Sequence, residues 1–188
     1  MRMMVLTGGP CAGKSTVLHE IQTHYGDQVV ITPEAATILL ASSLPAPKTW
    51  SLEWQDDFQA AVAKLQQEIE IQTADLKADL AIYDRGLLDG AAYTPGGIKR
   101  FCRRYGVQIE KLAYNQIIHL ESLATARPEL YGNSNNPHRF EGLAQAQDLE
   151  HKTRKAWSWH QHHIFLPGHQ GLTTSLQTIC HQVERHLT

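Results

Sequence analysis

The sequence predicts an α/β fold: a three-layer α/β/α sandwich around a five-stranded parallel sheet. Two observations carry that expectation. Short apolar runs alternate with longer segments of helical periodicity, the pattern of a parallel sheet covered on both faces. The first such run, Met3-Met4-Val5-Leu6-Thr7, leads directly into Gly8-Gly9-Pro10-Cys11-Ala12-Gly13-Lys14-Ser15-Thr16, after which a helical pattern begins. A length of 188 residues suits a single domain, residues 1–188, with a sizeable core. The chain is 42% hydrophobic and 19% charged, which excludes a disordered or fibrous class.

The elements follow in order. Residues 2–7 read as strand one. The helix after it carries Val17, Leu18 and Ile21 on one side and stops at Tyr25-Gly26, where glycine ends a helix well. Residues 28–32 read as strand two and 34–41 as a helix, with Pro33 suited to its first turn. Residues 42–49 hold two prolines and read as a loop. Ser51 is placed to cap a long helix running to about Lys77. Trp54, Phe58, Val62, Leu65 and Ile69 recur along it at the helical period, a stripe expected to pack into the core. Residues 79–84, 115–120 and 163–166 read as strands three to five, and 172–187 as an amphipathic helix with Leu172, Leu176, Ile179, Val183 and Leu187 inward. Residues 123–159 read as an arginine-bearing helical lid. In it Tyr131 to Pro137 form a turn-rich insertion, and a polar helix opens at His138.

The glycine-rich stretch fits the phosphate-loop pattern G-x-x-x-x-G-K-[ST], with Gly8, Gly13, Lys14 and Ser15 on the fixed positions. Glycines let the backbone turn so that successive N–H groups point into one concavity, and the helix start adds unpaired donors and partial positive charge. Gly8, Gly9, Pro10, Cys11, Ala12, Gly13, Lys14, Ser15 and Thr16 are therefore the expected nucleotide-phosphate site. Lys14 would reach the β- and γ-phosphates, and the Ser15 hydroxyl would ligate Mg²⁺. ATP is the expected nucleotide, with GTP left open, since no stretch reads as a nucleobase signature.

In such sheets ligands bind beyond the carboxyl ends of the strands. Asp84 ends strand three, where a carboxylate can bind Mg²⁺ or accept a proton from an attacking hydroxyl; capping a helix is the alternative. Arg85 can steady a transferred phosphate or an anionic substrate, or form a structural ion pair. Glu34 can orient or deprotonate an acceptor hydroxyl, or offset a helix dipole. Arg127, Arg139 and Arg154 are the cations a closing lid would bring to the developing charge.

The net charge of −2 gives no global push toward nucleic acid or an anionic membrane. No apolar run approaches membrane-spanning length, and strand one begins too early to leave room for a secretory leader, so a cytoplasmic location is expected. The three cysteines are scattered, which fits a reducing compartment. His160, His162, His163 and His169 lack the cysteine partners or i, i+4 pairing that a zinc site uses. Cys11 reads first as a small loop residue.

The phosphate loop, Pro33-Glu34-Ala35-Ala36, Tyr83-Asp84-Arg85-Gly86-Leu87-Leu88-Asp89-Gly90 and His138-Arg139-Phe140-Glu141 together resemble an AAA-like P-loop NTPase family. Its members include the nicotinamide riboside kinase domain of NadR and the fly TRPL-translocation-defect protein. The resemblance spans nearly the whole chain. It implies a nucleotide-kinase-like fold with sheet order 2-3-1-4-5, which would set Asp84 beside the phosphate loop. A more distant similarity to thymidylate and deoxynucleoside kinases implies acceptor-side roles for Asp84 and Arg85. Two readings follow. One is a Mg²⁺-dependent kinase passing the γ-phosphate of ATP to a small hydroxylated acceptor, a nucleoside or nucleotide. The other is a nucleotide-dependent switch that binds a protein or phosphoinositide partner. Oligomeric state stays open.

Overall fold

The computed structural model describes residues 1–42, 44, 46–47, 49, 51–132 and 142–188. Five strands form one sheet in the order β2-β3-β1-β4-β5, every pair parallel. They are β1 (Arg2–Thr7), β2 (Val29–Thr32), β3 (Leu80–Asp84), β4 (Gln116–Leu120) and β5 (His163–Leu166). The helices are α1 (Lys14–Tyr25), α2 (Ala35–Ala41), α3 (Leu52–Ala74), α4 (Gly90–Tyr93), α5 (Gly97–Tyr105), α6 (Leu123–Ala126), α7 (Leu143–Trp157) and α8 (Leu172–Leu187).

The central strands read as unbroken apolar runs because both faces are covered, as parallel sheets require. Side chains alternate between the faces. Met4 and Leu6 point to one side, where Val17 and Ile21 of α1 and Ile179 and Val183 of α8 close the core. Val5 points to the other, with Tyr83, Leu88, Phe101, Ile117 and Trp157. The register sets Leu6 beside Asp84 and Thr7 beside His119, so the ends of β1, β3 and β4 share one rim.

Several boundaries differ from the sequence reading. β2 begins at Val29 because Gly26–Gln28 form a 3₁₀ turn. Asn115 stays outside β4; its amide donates to the Met3 carbonyl and its side-chain oxygen accepts from the Met3 amide. Ser51 does cap α3, accepting from the Trp54 amide at 3.1 Å, but the helix ends at Ala74. Its fully buried face carries Phe58, Gln59, Ala63, Gln66 and Thr73, so of the apolar stripe Phe58 is fully buried and Trp54, Val62, Leu65 and Ile69 are half-buried. On α8, Leu172 is 39% exposed rather than inward.

The largest departure is α7. It begins at Leu143 after Gly142, and the helix start read at His138 falls in residues 133–141, which lie outside the described ones. It buries Ala146, Glu150, Thr153, Ala156 and Trp157 and so belongs to the covering layer of the sheet. Trp157 is fully buried, edge-on to Tyr114 with ring centroids 5.5 Å apart, and its indole N–H donates to Asp89 Oδ2 at 3.0 Å. Replacing it should be costly on both counts. Trp157→Ala is expected to cost about 3–5 kcal/mol in urea unfolding through the cavity it leaves. Trp157→Phe, which removes mainly the donor, should cost about 1–3 kcal/mol. No loss in Trp157→Phe would show that packing alone matters there, and equal losses that the hydrogen bond to Asp89 does.

Candidate functional site

The loop after β1 adopts the conformation its glycines permit. Gly8 has φ 139°, Cys11 60° and Gly13 83°. A Cβ at Gly8 would sit 2.1 Å from the Leu120 carbonyl oxygen, and one at Gly13 would sit 2.8 Å from Leu172 Cδ1. Gly8 is therefore closed to any side chain, and at Gly13 the left-handed φ strains one even where Leu172 can yield. Gly13 caps α1 in the left-handed conformation, and no acidic residue occupies the first turn of that helix. Its unpaired N–H groups and dipole are left for an anion.

The loop opens on a cleft of about 1550 Å³. Pro10 to Thr16 line one part of it, Glu34, Asp84 and Arg85 another, and residues of α3 and α7 the remaining walls. Lys14 Nζ donates to the Gly8 carbonyl at 3.3 Å. Burial lowers its pKa and the Arg85 charge lowers it further, while Asp84, Glu34 and Asp89 pull it back up.

Arg85 is the most heavily tied residue of the site. It sits at φ 72°, an unusual conformation for a residue with a side chain, held by its amide's bond to the Leu6 carbonyl at 3.0 Å. Its Nε donates to Glu34 Oε1 at 2.5 Å. Nη1 donates to the Gly8 carbonyl and to Asp89 Oδ1, both at 3.1 Å. One guanidinium thus bridges the end of β2, the phosphate loop and α4. Burial works against its charge, but Tyr93, Glu34, Asp89 and Asp84 around it raise its pKa well above the ordinary value. Burial also works against the Glu34 carboxylate, yet Arg85 first and then Lys14 hold its carboxyl below the usual range. Thr37 Oγ1 donates to Glu34 Oε2 at 2.7 Å.

Asp84 ends β3 beside β1. Its Oδ1 is buried without a hydrogen-bond partner among the described residues. Burial pushes its carboxyl up to about 6; Lys14 and Arg85 oppose the rise, and Glu34 and Asp89 add to it. An orphaned carboxylate oxygen beside the loop, with the Ser15 hydroxyl lining the same cleft, is a donor set that fits a hard cation brought by a polyphosphate. No cluster of three His, Cys, Asp or Glu side chains suited to a metal occurs among the described residues, and the terminal histidines form none.

The lid arginines do not gather here. Arg127 is exposed and does not line the cleft. Arg154 is exposed too, its guanidinium stacked 3.7 Å over the Phe165 ring at the β5 edge. Arg139 lies outside the described residues. The cations that α7 presents to the cleft are Lys152 and Lys155.

Three residues that the sequence did not single out complete the arrangement. Asp89 is 3% exposed and accepts four hydrogen bonds, from Thr7 Oγ1 and Arg85 on Oδ1 and from the Gly86 amide and Trp157 on Oδ2. Its i, i+4 spacing from Arg85 was the available signal. Glu150 and His119, both buried, meet at 2.6 Å beneath the loop. The N-terminal part of the α3 stripe is a cleft wall, while Ile69 packs against the core. Trp54 and Phe58 stack with centroids 4.8 Å apart and planes 11° from parallel, and both line the cleft with Val62. Next to them Gln59 is 6% exposed, and its Oε1 has no hydrogen-bond partner among the described residues.

This combination of fold and loop matches known proteins in two ways. The family model described as AAA domain matches residues 3–167, and the chain belongs to that family. No curated protein matches the sequence. Among solved structures, deoxyadenosine kinase from M. mycoides with bound dATP is similar at a TM-score of 0.69 and 14% identity. The match covers 98% of this chain and 100% of that one. The same kinase with the products dCMP and dCDP matches at 0.64 and 16%, with the same coverage. The fold is thus that of the P-loop nucleotide kinases. No helix among the described residues is long and apolar enough to cross a membrane.

Proposed function

We propose that the protein is a kinase that transfers the γ-phosphate of ATP to a hydroxyl of a nucleoside-like acceptor. The observation that carries this reading is the α3 wall. A stacked indole and phenyl pair beside a buried carboxamide oxygen that lacks a donor suits a flat heteroaromatic ring bearing an N–H group. That wall shares one cleft with the phosphate loop. The similar solved structures hold deoxynucleotides, so deoxynucleosides are the first acceptors to test, with nicotinamide riboside next from the narrower sequence resemblance. ATP is the first donor to test and GTP the second.

Roles follow from position. The amides of residues 8–16 and Lys14 hold the phosphates. Ser15 and Asp84 would hold Mg²⁺, which when bound neutralises charge on the β- and γ-phosphates. Glu34, fixed by Arg85, orients the acceptor hydroxyl and takes its proton as the new O–P bond forms and the β–γ bridge breaks. Arg85 and a lysine of α7 face the charge that spreads over the transferred group. Arg127 and Arg139 remain the lid candidates, since α7 itself is packed into the layer that covers the sheet. The switch reading finds less support, since it leaves the α3 wall without a purpose.

Gln59→Leu keeps the volume and removes the hydrogen-bonding oxygen. The expected result is a KM for the best nucleoside raised roughly tenfold or more, with the KM for ATP unchanged. Steady-state kinetics in both substrates check it. A shift in both KM values, or in neither, would remove α3 from the acceptor site.

A further inference from the structure

Gly9 occupies a position that the phosphate-loop pattern leaves variable, and the structure gives a reason for its glycine. A Cβ there would lie 2.7 Å from Glu150 Oε2 and 3.1 Å from the Cβ atoms of Glu150 and Ser122. The Gly9 amide donates to Glu150 Oε2 at 2.7 Å, and the Ser122 amide donates to the same oxygen at 3.2 Å. The other oxygen, Oε1, meets His119 Nε2 at 2.6 Å. Ser122 Oγ in turn donates to the Pro10 carbonyl. All four partners are buried, and the carboxylate comes from α7, which is distant in sequence. Burial alone would raise the Glu150 carboxyl, but the bond and charge of His119 and the Gly9 and Ser122 amides bring it below the ordinary range. The helix that walls the cleft with Lys152 and Lys155 is therefore bolted, through an ionised side chain, to the first turn of the loop.

We propose that Glu150, clamped by His119, is a positioning residue for nucleotide binding: it fixes the Gly9 turn and so sets the loop's phosphate-binding shape relative to α7. The proposal rests on the nucleotide-site reading above. A buried carboxylate is an expensive way to hold a loop, and it is tolerated where both oxygens are fully bonded. A purely structural salt link would have needed no contact with the loop amide.

The test uses the full chain and binding of a fluorescent ATP analogue with Mg²⁺, with Lys14→Ala as reference. Glu150→Ala is expected to weaken nucleotide binding roughly tenfold or more, because the Gly9 and Ser122 amides lose their acceptor. Glu150→Gln, which keeps an acceptor oxygen, should recover most of that affinity, and acceptor KM should not move in either variant. The ¹H–¹⁵N resonance of Gly9 should lie downfield in the wild type and move upfield in Glu150→Gln as the charge-assisted bond becomes neutral. If Glu150→Ala does not fold, His119→Asn, which removes only the clamp on Oε1, decides the matter by the same binding measurement. Binding lost in Lys14→Ala but unchanged in the folded Glu150 or His119 variant overturns the proposal alone. Binding absent in the wild type, or unchanged in Lys14→Ala, overturns it together with the reading it rests on.

Discussion

Lys14→Ala is expected to lower acceptor-dependent turnover roughly a hundred- to a thousandfold, the usual loss when one preorganised charge-stabilising donor is removed. The lysine opens α1 with its ammonium directed back to the Gly8 carbonyl at 3.3 Å, inside the curve of the loop. Burial and the neighbouring Arg85 both work against its charge. A triphosphate in the loop would supply the counter-charge that Asp84, Glu34 and Asp89 supply only in part. The loss should therefore appear in nucleotide affinity and in kcat together. Because the side chain's hydrogen bonding among the described residues is confined to the Gly8 carbonyl, thermal unfolding should change little. Initial rates at saturating acceptor, read beside a melting curve, separate loss of function from loss of fold.

Arg85→Lys is expected to cost nearly as much, about a hundredfold or more in kcat, despite keeping the charge. Arginine here donates in three directions at once, to Glu34, Asp89 and Gly8, and a lysine's compact ammonium cannot span them. Glu34 would lose the partner that orients it, and with it the base proposed for the acceptor hydroxyl. Arg85→Ala should add a folding penalty of about 3–5 kcal/mol, since two carboxylates with little solvent access would be left unpaired. A lysine variant with full activity would mean that Arg85 is a structural ion pair and no more.

The sheet was legible because its strands are covered on both faces. Continuous apolar runs such as Ile117-Ile118 have no other stable place in a chain this size. The phosphate loop was legible because its geometry admits glycine alone at Gly8 and favours it at Gly13. The α3 stripe was only partly a core stripe for a physical reason: Ile69 packs on the core, but helical periodicity reports which face is shielded from bulk water, and the cleft wall at Trp54, Phe58 and Val62 shields it much as a core does. That α7 covers the sheet was hidden because polar residues dominate its composition. Its buried side is made of small residues, one glutamate and one tryptophan, a pattern with weak apolar periodicity. Asp89, His119 and Glu150 take their meaning from partners such as Thr7, 82 residues from Asp89, and Gly9, 141 residues from Glu150. Beyond the i, i+4 spacing of Arg85 and Asp89, no local spacing carries that information. Arg154 looked like a cleft cation until β5 placed Phe165 beneath it.

The central claim is phosphoryl transfer to a nucleoside-like acceptor, and the most direct measurement follows the label. The protein is incubated with Mg²⁺ and γ-labelled ATP, with and without pooled deoxynucleosides, ribonucleosides and nicotinamide riboside, and with Lys14→Ala in parallel. Labelled nucleoside monophosphate is expected from at least one pool, and at least a hundredfold less of it from the variant. Label appearing only as inorganic phosphate, at one rate whatever acceptor is present, would contradict it and move the nucleotide-switch reading ahead.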